Sequence, residues 1–168
     1  KRDWSSDVCS SDVFSSQETE TQPRDTKVNA DWSMFSAYAG WHFGDLFVAP
    51  QLNVGFGDIA TRRSLTAGSN LRYMIADTTA YIAAGGASAG YTIDLGGFQL
   101  IPEASFDGMW LRQGGYNEFG GSGLNLHLQA QTMKSARGFV GLIGQGAVNI
   151  AGATFVPQII TGWSHEFL

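Results

Sequence analysis

From Trp32 onward apolar and polar residues alternate. Between Phe98 and Trp110 the even positions are Phe98, Leu100, Pro102, Ala104, Phe106, Gly108 and Trp110. The odd positions are Gln99, Ile101, Glu103, Ser105, Asp107 and Met109. A side-chain period of two belongs to a β-strand whose faces meet different surroundings. The alternation recurs in Phe35–Phe43, Leu46–Phe56, Tyr81–Ile93, Leu124–Leu142 and Phe155–Glu166. Six strands are therefore predicted, several of twelve residues or more, where soluble strands average about five or six.

The partner of the apolar face follows from the opposite face. A soluble sheet turns Lys and Glu to water, but here the polar positions hold mainly Gln, Asn, Ser and Gly. Charged residues make up 15% of the chain, against roughly 25% in an average soluble protein. This suits a confined wet lumen inside and lipid outside. Aromatic residues mark the ends of the apolar face: Phe35, Trp41 and Phe43, then Phe98 and Trp110, then Phe155 and Trp163. The twelve steps from Phe98 to Trp110 cover about 40 Å of strand. At a tilt of roughly 45° the rise is about 28 Å, close to the apolar band of about 25 Å on outer-membrane barrels.

The connections point the same way. Short turns are expected at Gly44–Asp45, Leu95–Gly97 and within Gln145–Gly152, and longer loops near Ile59–Thr79 and Gly114–Gly123. Alternating short turns and long loops is the layout of an outer-membrane barrel. Pro50, Pro102 and Pro157 recur at spacings of 52 and 55 residues, each on the apolar face a few residues above a short turn. A strand proline loses a ladder hydrogen bond, so three at one level indicate a repeated structural unit. A transmembrane helix over Gly138–Pro157 is the rival reading, since the stretch carries no formal charge. Its five glycines, with Gln145, Asn149 and Pro157, argue against it.

The N-terminal residues differ. Asp3–Asp12 reads DWSSDVCSSD, which matches the in-frame translation of a common sequencing-library adapter. Residues 1–13 are accordingly expected to be foreign, and residues 14–27, polar and poor in apolar groups, a loop or tail. The expected organisation is a disordered tail over 1–31 and a partial barrel over 32–168. The one cysteine, Cys9, falls in the foreign stretch, and no zinc or disulfide pattern is present. A net charge of −5 argues against a basic face for nucleic acid.

No catalytic constellation emerges, and no cofactor is expected. His42, His127 and His165 fall on different strands without a carboxylate or cysteine partner. Parity turns Glu103, Asp107, Gln129, Gln131 and Arg137 to the lumen, with Arg137 facing the two acids as a candidate ion pair. Lys134 falls on the lipid side, where its amine can snorkel to the interface.

Three ordered blocks resemble the translocator β-barrel of autotransporters, the type V secretion β-domain. They are FVAPQLNVGFGDIATRRSL (Phe47–Leu65), FQLIPEASFDGMWLRQGGYNEFGGSGLNLHLQAQTMKSARGFVGL (Phe98–Leu142) and FVPQIITGWSHEF (Phe155–Phe167). Arg62 and Arg63 match the family's basic pair, Glu118 with Gly120–Gly121 its acid–small–glycine loop, and Trp163, His165, Glu166 and Phe167 its strand end. The resemblance implies a twelve-stranded barrel with a helix threading the pore. About half of those strands are expected here, with Arg63 and Glu118 near the outer mouth. It further implies a Gram-negative outer membrane, its lipid and the barrel-insertion machinery as partners, and export of a covalently linked N-terminal passenger that is absent from this chain. A porin or adhesin without a passenger, binding ligands through its long loops, is the alternative. An enzyme is not expected.

Overall fold

The computed structural model describes residues 4–21, 26–67, 70–150 and 152–168. The strands are β1 (Trp4–Thr21), β2 (Thr26–Phe43), β3 (Leu46–Ala67), β4 (Asn70–Tyr91), β5 (Ile93–Asp94), β6 (Phe98–Gln113), β7 (Tyr116–Asn117), β8 (His127–Leu128), β9 (Gln131–Gly146), β10 (Val148–Ile150), β11 (Ala153–Phe155) and β12 (Gln158–Glu166). The described residues contain no helix, so the Gly138–Pro157 stretch crosses β9, β10 and β11 instead. The main sheet is antiparallel, in the order β1-β2-β3-β4-β6-β9-β12, with β5 beside β6. Long strands pair with their sequence neighbours, as a meander requires.

The register fixes the two faces. Tyr38, Gln51, Gly86, Asp107, Arg137 and Glu166 are successive cross-strand partners and form one row of the polar face. Phe35, Val54, Ala83, Trp110 and Lys134 form a row of the apolar face. That apolar face is uncovered: Leu52 is 55% exposed, Val140 62% and Trp163 65%. Among the described residues the buried apolar side chains are Met74, Ala76 and Ala80. An exposed apolar surface of this extent requires an apolar partner.

The sheet departs from the sequence expectation at four places. Residues 4–21 and 26–31, expected within a disordered tail, lie in β1 and β2 in unbroken register from Trp4↔Phe43 to Thr21↔Thr26, the adapter-like residues 4–12 among them. Backbone hydrogen bonds carry this pairing without an apolar alternation, so period two could not reveal it. The expected 31/32 boundary thus falls inside β2. The expected loop Ile59–Thr79 extends the β3–β4 hairpin, paired out to Ala67↔Asn70. The fifth strand starts at Gln131, not Leu124, and Leu124–Leu126 belong to a hairpin tip. The third short turn instead holds the small β10–β11 hairpin, which takes Phe155 out of the main sheet.

Two prolines sit inside strands, and the ladder yields around them. The β2–β3 pairing skips from Tyr38↔Gln51 to Trp41↔Val48, leaving Pro50 unpaired on that side. Pairing of β6 with the preceding chain stops at Gly90↔Glu103 and resumes at Ile93↔Leu100, leaving out Pro102. Each gap accommodates the missing proline N–H. Pro157 lies between β11 and β12, outside any strand.

Candidate functional site

β4 pairs with β6 only over Ala80–Gly90. Above Ala80 its open edge receives the segment that follows β6. Gly114 N donates to Thr79 O at 2.8 Å, and Thr78 Oγ1 donates to Gly114 O at 2.8 Å. Ile75 N donates to Phe119 O at 3.0 Å, and Phe119 N to Ile75 O at 2.9 Å. Five steps on β4, Ala80 to Ile75, therefore oppose six steps from Gln113 to Phe119. The extra residue is a β-bulge at Gly114–Gly115, and a bulge reverses side-chain parity beyond it. Glu118 would otherwise share the apolar face with Trp110; the bulge turns it to the polar face, toward Arg63.

Arg63 Nε donates to Glu118 Oε1 at 3.0 Å and Nη2 to Oε2 at 2.6 Å. The guanidinium fork matches both carboxylate oxygens, the strongest geometry for such a pair. Leu126 N donates to Glu118 Oε2 at 2.9 Å, and Arg63 Nη2 to Leu124 O at 3.1 Å. Glu118 is 4% exposed and Met74 fully buried beside it. The hydrogen bonds from Arg63 hold the Glu118 carboxyl below its ordinary range, outweighing the opposite effect of burial. The same bonds raise the Arg63 guanidinium above its ordinary value. The chain reverses over this pair through Gly120 and Gly123, at φ 101° and 96°, with Ser122 at φ 46°. Gly121 packs onto Met74: a Cβ there would lie 2.8 Å from Met74 Cγ. The sequence marked both ends of this pair but not their contact, which depends on the bulge; the Gly114–Gly115 doublet was the available signal.

Lower on the polar face, Gln51 Nε2 reaches across Gly86 to donate to Asp107 Oδ1 at 3.1 Å. Gln145 donates to Gln99 at 2.8 Å, and Gln158 to Gln145 at 3.4 Å. Glu166 Oε1 accepts from Ser135 Oγ at 2.9 Å and Ala136 N at 2.7 Å. Arg137 stands opposite both Asp107 and Glu166 in register. It forms no ion pair with Glu103 or Asp107, because Asp107 leans over Gly86 toward Gln51. Gln131 faces Gln113 on the same surface, whereas Gln129 lies between β8 and β9. His127 Nδ1 bonds Asn117 Oδ1, and His165 stacks on Trp163 with ring centroids 5.3 Å apart. No cluster among the described residues could hold a metal ion.

An antiparallel sheet with one uncovered apolar face and one hydrogen-bonded polar face defines the wall of a transmembrane β-barrel. The chain belongs to the autotransporter β-domain family, whose sequence model matches residues 13–168. That match begins directly after the adapter-like string. The fold is similar to the translocator domain of autotransporter NalP from Neisseria meningitidis, with a TM-score of 0.53 at 15% identity. The likeness covers 96% of this chain and 68% of that one. Comparison with curated proteins gave no match.

Proposed function

We propose that this domain forms part of the translocator barrel that anchors a covalently linked passenger in the outer membrane of a Gram-negative bacterium and exports it to the cell surface. The supporting observation is the two-faced sheet within an autotransporter β-domain. The uncovered apolar face suits lipid, and the opposite face offers carboxamides, hydroxyls and a few charges along the path of a polypeptide. Glu103, Asp107, Gln131 and Arg137 then line the lumen. Phe35, Trp41, Phe43, Phe98, Trp110 and Trp163 lie at the lipid boundary, and the barrel-insertion machinery is the assembly partner. The reading requires no catalytic group. The family match starts at Val13, so residues 3–12 lie outside the matched domain, although residues 4–12 pair with β2.

Expression of the complete gene with an epitope tag in the passenger, N-terminal to the whole β-domain, tests this. Protease added to intact cells should remove the tag, and deletion of the β-domain should leave the tag protected in the periplasm. A tag that stays periplasmic while the β-domain inserts as a folded, heat-modifiable barrel would overturn passenger export and favour the porin or adhesin alternative.

A further inference from the structure

The β6–β9 hairpin breaks on both strands at one level. Its last lower rung is Gln113↔Gln131 and its first upper rung Tyr116↔Leu128, so two residues on each side are unpaired. At Gly115 a Cβ would lie 2.9 Å from Leu128 O and 3.0 Å from Ala130 N, an approach that glycine permits. This break coincides with the bulge against β4. Beyond it the hairpin tip turns onto the polar face. It is held there by the Ile75–Phe119 bridge, by Gly121 on Met74 and by the buried Arg63–Glu118 pair.

We propose that residues 114–130 form a hinged cap over the polar face at the rim, with Gly114–Gly115 as hinge and Arg63–Glu118 as clasp. The cap rests on the reading of the polar face as the lumen, because only then does it narrow the mouth. A clasp suits such a device: it is compact, directional and confined to one residue on each side. Closed, it shields Leu126 N, Leu124 O and Met74; open, it frees a tip whose Leu124 and Leu126 are already 42% and 48% exposed.

The test is thermolysin cleavage of the tip in the full-length protein inserted in the outer membrane, with heat-modifiable migration as the measure of barrel folding. Glu118→Ala and Arg63→Ala should each raise the cleavage rate at least tenfold with the folded band retained, and the exchange R63E/E118R should reverse much of the rise. Unchanged cleavage in both single variants overturns the cap. Should the single variants lose the folded band, a Met74→Cys/Gly121→Cys pair decides. Oxidation should suppress cleavage and reduction restore it; cleavage insensitive to oxidation overturns the cap. None of these readouts depends on passenger export, so a failure here is distinct from failure of the translocator reading.

Discussion

At the residue scale, Glu118 is the most consequential side chain, because its carboxylate is buried and its three hydrogen bonds come from two different segments. A carboxyl whose native pKa is lowered contributes stability that is complete above its unfolded value and is lost as the pH falls through the native value. Docking of the tip should therefore be constant from neutral pH down to the ordinary carboxylate range, weaken as the pH falls through that range and be lost in stronger acid. Tip proteolysis followed against pH with an acid-active protease checks this, and Glu118→Gln should abolish that acid transition. The other ionisable group acting on Arg63 here is Tyr116. Both members of the pair stood out in the sequence as rim residues. Their contact did not, because strict alternation sends Glu118 to the wrong face and one inserted residue reverses it.

At the element scale, the long strands tolerate large aromatic groups on the polar face because glycines open space beneath them. Phe139 lies over Gly141 on its own strand and Gly162 on β12: a Cβ at Gly162 would fall 2.5 Å from Phe139 Cε2 and 2.7 Å from Val140 O. Gly162→Ala should thus displace the ring and strain the β9–β12 ladder. The expected cost is about 1–3 kcal/mol, the usual range for overpacking, read as a lower urea midpoint of the folded band. Pairing with Phe139→Leu should recover part of the loss. The elements were legible wherever apolar alternation marked them, as in β6, where every second residue from Phe98 to Trp110 is apolar or glycine. They were illegible where side chains did not vary with face. In β1, Ser10, Ser11, Ser15 and Ser16 give no parity signal, yet their backbones pair as regularly as any.

At the scale of the whole molecule, everything turns on which face meets lipid. Among the described residues the sheet buries almost none of its large apolar side chains itself, so its stability resides in ladder hydrogen bonds and in the surroundings of the apolar face. Two substitutions at neighbouring positions separate the faces. Val140 pairs with Ala104 in the middle of the apolar belt, and Ser105 is the next residue on the opposite face, paired with Phe139. An arginine at position 140 should cost about 2–4 kcal/mol, the range for a cation at the bilayer midplane on the lipid side of a barrel. An arginine at 105 can extend into water among Ser88, Glu103 and Asp107 and should change stability little. Measured by urea titration of the full protein folded into vesicles, that asymmetry would fix the orientation. Equal penalties would mean that both faces are enclosed, and a larger penalty at 105 would reverse the lumen assignment, carrying the glutamine row and the rim clasp to the lipid side with it.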